Sequence, residues 1–239
     1  YSYHTYLFYS RNTIPCLLLD MNFFRKVIRE LFRRQITKRY IDSRSYWEDR
    51  YYYGGNSGKG SYAKDAIQKA NFLNDTILNY RLKNIIDVGC GDGNNLKLFK
   101  SDFYIGIDVS KTIVEKNILS FKKYKNKLFF FLDKNYSKII SDINNLVKND
   151  ESLIVSFDVI FHLVEEDVYK EHMNVINNIN AHYCIITSSD KNIDYNPKVP
   201  HVKHRNYSND LKRNGWLMID SQKIIGDRDK REIKLFKKN

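Results

Sequence analysis

The stretch "DVGCGDGNN", Asp87–Asn95, decides the fold: directly behind the apolar run "NIIDV" it places Gly89, Gly91 and Gly93 within five positions. So much bare backbone where a strand-like run ends predicts a strand-to-helix turn that a ligand approaches closely.

Working outward, short apolar runs alternate with helical patterns. "NIIDV", "FYIGIDV", "KLFFFLD", "SLIVSFDVIF" and "HYCIITSS" read as strands, with "NNLKLFK", "KTIVEKNILSFKKY", "YSKIISDINNLVK" and "EEDVYKEHMNVINNI" as the helices between them. Near-continuous apolar runs joined by helices predict parallel strands buried on both faces. Two final strand candidates, "WLMIDSQKII" and "REIKLFK", follow a short helix around Asn209–Arg213 and suit a closing hairpin. The expected fold is a doubly wound, Rossmann-like α/β sheet, seven-stranded and mostly parallel, with a C-terminal antiparallel hairpin and an N-terminal helical extension.

Upstream, "AKDAIQKANFLNDTILNY" reads as a helix, and "SYWEDRYYYGGNSGKGSY", with glycines at 54, 55, 58 and 60, reads as a structured loop without a regular element. The expected division is one main domain over residues 45–239 and an extension over residues 1–44. Within residues 22–39, Phe23, Phe24, Val27, Ile28, Leu31, Phe32 and Ile36 recur at helical spacing among seven basic residues. This basic amphipathic helix either docks on the domain or lies on an anionic membrane surface. Because the first methionine is Met21, residues 1–20 read as lying ahead of the true start.

The chain of 239 residues carries a net charge of +12, which fits phosphate-bearing partners or Lys-rich compositional bias equally. Cys16, Cys90 and Cys184, odd in number and widely spaced, argue against a disulfide framework and predict a cytoplasmic protein. No run approaches the length of a membrane-spanning helix.

The glycines are spaced G-x-G-x-G, not the G-x-G-x-x-G of dinucleotide loops, so NAD and FAD are disfavoured. Asp87 at the end of the first strand suits an ammonium group. Asp108, ending the second strand about 20 residues on, is placed to accept both hydroxyls of a ribose. Asp133, ending the third, either accepts from the exocyclic amine of an adenine or is an exposed loop residue.

On these residues the chain resembles the class I S-adenosylmethionine-dependent methyltransferases: "DVGCGDG" is similar to their first motif and "YIGIDVS" to the acidic end of their second strand. "YWEDRYYYGGNSGKGSY", "SFDVIFHLVEEDVY" and "HVKHR" extend the resemblance to a bacterial and viral group often associated with surface-polysaccharide genes. The resemblance implies S-adenosyl-L-methionine as cofactor, held by Asp87, Gly89, Cys90, Gly91, Gly93, Asp108, Val109, Asp133 and Phe157. It also implies methylation of a sugar, glycan or other small polar acceptor.

His162 reads as a general base, a positioning residue or a structural histidine, with Asp158 orienting a neighbour or the cofactor. Tyr62, His204 and Arg205 are the acceptor-binding candidates, although "HVKHR" equally suits a solvated loop. No metal is expected, since His201 and His204 have no accompanying cysteine or acidic pair. Two rival readings stand. A nucleic-acid methyltransferase lacks its Asn-Pro-Pro-Tyr or Pro-Cys motif here, and the other is a non-catalytic, membrane-anchored cofactor-binding scaffold.

Overall fold

The computed structural model describes Leu31 and residues 40–193, 195–226 and 231–239. The basic amphipathic helix predicted over 22–39, and with it the membrane and start-site expectations, lies outside the described residues, apart from an exposed, helical Leu31.

Seven strands, β1 (Asn84–Val88), β2 (Phe103–Asp108), β3 (Lys127–Phe131), β4 (Ser152–Phe157), β5 (Tyr183–Ser188), β6 (Trp216–Lys223) and β7 (Glu232–Lys238), form one sheet in the order β3-β2-β1-β4-β5-β7-β6. The first five run parallel, and β7 pairs antiparallel with both β5 and β6. Among the described residues six further α-helices accompany them: α1 (Ser43–Tyr52), α2 (Ala63–Tyr80), α3 (Lys111–Phe121), α4 (Tyr136–Leu146), α5 (Glu166–Asn178) and α6 (Tyr207–Arg213).

Successive strand residues face opposite sides of the sheet, and each side has its own core. Ile86, Val88, Ile105 and Ile107 pack with Ile140 and Ile143 of α4, Met173 and Ile176 of α5, and Tyr207 of α6. Ile85, Tyr104, Leu153 and Val155 pack on the other side with Phe72 and Leu73 of α2 and Val114 of α3. Strands apolar at every position are what such double coverage requires. The strand order reverses direction at β1, whose neighbours are β2 and β4, so a crevice opens at the C-terminal ends of these strands.

Two local expectations change. "NNLKLFK" forms only a 3₁₀ turn, Asn95–Leu98, because the return to Phe103 leaves no room for a longer helix while Leu96 is drawn into the core. The aromatic segment expected as loop begins as helix α1: Asp42 caps it, accepting from Ser45 N at 2.8 Å, and glycines enter only at Gly54. Among the described residues no helix is long and apolar enough to cross a membrane.

Candidate functional site

A cleft of about 780 Å³, counting its open mouth, lies over the C-terminal ends of β1, β2 and β4. Asp87, Gly89, Cys90, Gly91, Asp108, Val109, Phe157 and Asp158 line it, so most of the predicted cofactor residues converge on one space. Gly93, Asp133, Tyr62, His162, His204 and Arg205 do not line it.

The glycine loop has three positive-φ residues, and at Gly89 (φ 88°) and Gly91 (φ 55°) contacts add to the backbone requirement. A methyl at Gly89 would lie 2.4 Å from Val159 in the turn after β4, and one at Gly91 would lie 2.2 Å from Ser57 Oγ. These glycines therefore serve packing between loops as well as approach to a ligand.

Asp108 turns both carboxylate oxygens to local backbone: Gly91 N donates to Oδ2 and Ser110 N to Oδ1, each at 2.9 Å. Asp87 Oδ2 accepts from Tyr104 Oη at 2.8 Å. Burial raises the Asp87 carboxyl to about 7 against the opposing pull of the Tyr104 hydroxyl and Lys69, and Asp108 adds repulsion. Burial likewise raises Asp108 to about 6, although the Ser110 and Gly91 N–H groups work against it. Beside them Asn95 Oδ1 is buried without a hydrogen-bond partner. A basic protein thus holds a cleft rich in acceptors, which calls for a ligand that brings cationic groups and donors.

The Gly-rich segment folds against this loop. Ser57 N donates to Asp92 Oδ2 at 3.0 Å, Asp92 N returns a bond to Ser57 Oγ at 2.8 Å, and Asn94 Nδ2 donates to the Ser61 carbonyl at 2.6 Å. Tyr62 Oη donates to the same Asp92 Oδ2 at 2.6 Å, which places the tyrosine in this fastening and not in an acceptor pocket.

Helix α1 crosses the strand ends. Glu48 accepts from Ser110 Oγ at 2.6 Å and from Thr112, securing the start of α3. Arg44 donates to the Leu132 carbonyl at 3.0 Å and pairs with Glu171 of α5. Ser43 Oγ donates to the His162 carbonyl at 2.8 Å, and Tyr40 Oη to Glu165 at 2.7 Å. None of these partners is near its mate in sequence, and none was legible there.

Asp158 sits at φ 61°, a left-handed conformation unfavourable for a residue with a Cβ. Its carboxylate is clamped by Lys69 Nζ at 2.6 Å and Arg231 Nη1 at 2.8 Å, and Arg231 also pairs with Asp65 at 2.7 Å. Lys69 is fully buried in the apolar stripe of α2. Asp158 thereby anchors the turn after β4. Lys69 was findable: it occupies a core position between Ala66 and Leu73.

The turn anchored by Asp158 carries His162. Its Nδ1 lies 3.0 Å from the His201 carbonyl, which only accepts, so Nδ1 bears the proton and Nε2 keeps its lone pair. Its ring lies edge-on to Trp47 at 5.0 Å and stacks on His201 at 5.8 Å, and burial lowers its pKa to about 4. His162 is therefore neutral near pH 7, on the far side of Trp47, itself a cleft residue. His172, a cleft residue absent from the sequence reading, faces Ser156 Oγ at 3.0 Å.

Arg205 does not reach an acceptor site. Its guanidinium is buried against the Tyr169 ring, donates to the Leu163 and Val164 carbonyls at 3.1 and 2.9 Å, and pairs with Glu166 at 2.7 Å. His204 bonds Ser189 and lines a second cleft with Phe161, Val199 and Val202. Asp133 is exposed, its Oδ1 accepting from Asn135 N at 2.8 Å to shape the turn before α4. Among the described residues no group of three or more His, Cys, Asp or Glu side chains could hold a metal ion.

No protein family and no curated protein matches the chain by sequence. Solved structures do. N-methyltransferase NodS from Bradyrhizobium japonicum WM9, in complex with S-adenosyl-L-homocysteine, matches with a TM-score of 0.57 at 12% identity, over 83% of this chain and 99% of that one. Magnesium protoporphyrin IX methyltransferase ChlM from Synechocystis PCC 6803, with bound SAH, gives 0.54 at 14% identity, over 90% and 100%. The [4+2]-cyclase SpnF gives 0.54 at 12%, over 76% and 85%. The fold is that of the S-adenosylmethionine-dependent methyltransferases.

Proposed function

We propose that the protein is an S-adenosylmethionine-dependent methyltransferase acting on a small polar acceptor, sugars and glycans among them. The observation that carries this reading is the pair of buried carboxyls, Asp87 and Asp108, at the ends of adjacent strands around the glycine loop. Asp87 Oδ1 has no hydrogen-bond partner among the described residues, and Asn95 Oδ1 is buried without one. The cofactor's amino-acid ammonium and ribose hydroxyls are donors that such groups lack, so the residues fit it.

Asp87 and Asn95 would hold the ammonium, and Asp108 the ribose. Val109 and Phe157 supply apolar walls, and the fastened Gly-rich segment excludes water. When bound, S-adenosylmethionine supplies an electrophilic methyl group. His162 Nε2 keeps a lone pair for an acceptor hydroxyl that approaches past Trp47, and its low basicity suits hydrogen-bonding that hydroxyl more than removing its proton outright. Trp47, which lines the cleft and packs on His162, offers aromatic surface to a sugar. SpnF carries a different reaction name on this fold, so the acceptor and the reaction rest on the site and not on the likeness.

Calorimetric titration with S-adenosylmethionine and with NAD tests the reading. Micromolar binding of the first alone is expected, followed by transfer of labelled methyl to sugars or glycolipids. Absence of heat with S-adenosylmethionine would overturn it. Methyl transfer only to RNA, with steeply salt-dependent binding, would move the acceptor to nucleic acid.

A further inference from the structure

From Asp108 the cleft continues away from β1 toward the end of β3. There Val109, Leu132 and Val168 form apolar walls, and the polar groups at its end are Arg44 and Glu171. We propose that Glu171, held by Arg44, is the residue that reads the nucleobase edge of the ligand, in the place where the sequence points to Asp133. The proposal rests on the S-adenosylmethionine reading above.

Three observations carry it. First, the Asp133 carboxylate is exposed and engaged by Asn135 N at 2.8 Å, outside the cleft. Second, a ligand with its ribose on Asp108 and its amino-acid part toward Asp87 leaves only the β3 side for a base. The side chains there are flat apolar surface closed by one ion pair. Third, that pair is anchored from two directions. Arg44 Nη1 donates to the Leu132 carbonyl at 3.0 Å while Nη2 meets Glu171 Oε1. Glu171 Oε2 has no hydrogen-bond partner among the described residues and its side chain is only 18% exposed. An ion-paired carboxylate only accepts hydrogen bonds, so the open oxygen selects a base edge that donates. Adenine offers an exocyclic amine to that oxygen; hypoxanthine presents a carbonyl oxygen in the same place, which the carboxylate repels.

The test compares binding of S-adenosylhomocysteine and S-inosylhomocysteine, by calorimetry, to the full chain and to Glu171→Gln and Asp133→Asn. The wild type is expected to favour the adenosyl ligand by at least about tenfold, the worth of one charge-assisted hydrogen bond. In Glu171→Gln, whose amide can turn either a donor or an acceptor to the base, the preference should fall to within about threefold, whereas Asp133→Asn should keep it. Equal binding of the two ligands by the wild type overturns the proposal without any variant. So does loss of the preference in Asp133→Asn or its retention in Glu171→Gln. Failure of the wild type to bind either ligand overturns instead the cofactor reading on which the proposal stands. A thermal melt of each variant confirms that it is folded.

Discussion

Lowering the pH should weaken ligand binding and strengthen the free fold at the same time, through one carboxyl. Asp87 is buried, and its pKa is raised to about 7 because the loss of water outweighs the Tyr104 hydroxyl and the Lys69 charge that oppose it. An unfolded aspartate titrates near 3.9, so between the two values the folded chain binds the proton that the unfolded chain has released. Stability contributed by this group is therefore full below about pH 4 and is lost as pH rises to about 7, a change of about 4 kcal/mol at about 1.4 kcal/mol per unit. Binding runs the other way, because a ligand ammonium needs the charged form. The ionised fraction falls from about 0.8 near pH 7.5 to about 0.03 near pH 5.5, so affinity should fall about 25-fold, or about 2 kcal/mol. Asp108, raised to about 6, steepens the lower end. Calorimetry with S-adenosylhomocysteine in two buffers of different ionisation enthalpy measures the affinity and counts the protons released. Thermal melts of the free protein over the same range measure the opposing trend. Asp87→Asn should flatten both. An affinity unchanged between the two pH values, or full-strength binding by Asp87→Asn, would refute the reasoning.

Three further outcomes are expected. Lys69→Met leaves Asp158 buried with Arg231 as its remaining ion-pair partner, and should cost about 3 kcal/mol in urea denaturation, the lower end for breaking a buried pair; a loss below about 0.5 kcal/mol would show the clamp to be unimportant. Gly91→Ala forces a Cβ onto Ser57 Oγ at a left-handed backbone position, so it should destabilise by about 2 kcal/mol and speed ligand release; unchanged dissociation in stopped flow would contradict the fastening role of the Gly-rich segment. Cys90 and Cys184 are buried with thiols pushed up in pKa, so peptide mapping after alkylation should find them unmodified in the native protein and labelled in denaturant; native labelling at Cys184 would mean that β5 opens.

The sheet was legible because parallel strands covered on both faces are apolar over most of their length, as the run "LIV", Leu153–Val155, is, and because acids such as Asp87 and Asp108 stand out where those runs end. The hairpin of β6 and β7 was legible from the short apolar runs "WLMI" and "IKLF", although β6 is exposed beyond Trp216. What escaped was chemistry made by distant pairs. Glu48 reads as a surface acid of an aromatic loop until Ser110 and Thr112 are brought to it. Arg205 reads as a donor for a ligand until the turn at Leu163 takes its hydrogen bonds. Asp133 sits at the strand end that a base-binding acid should occupy, but Asn135 two residues on offers a nearer donor, and local turn chemistry prevails.

Helix α1 has a consequence for how the molecule is made. Its clasp joins Arg44 to a glutamate 127 residues later in the chain. On a ribosome adding roughly 5–20 residues per second, Arg44 emerges about 6–25 s before Glu171 exists. Until Leu132, His162 and Glu165 are made in turn within that interval, the helix has none of them to rest on, and its aromatic residues Tyr46, Trp47 and Tyr51 lack these neighbours. Helix α1 is thus made well before the residues it docks on, and a chaperone that shields those three rings would act in that window.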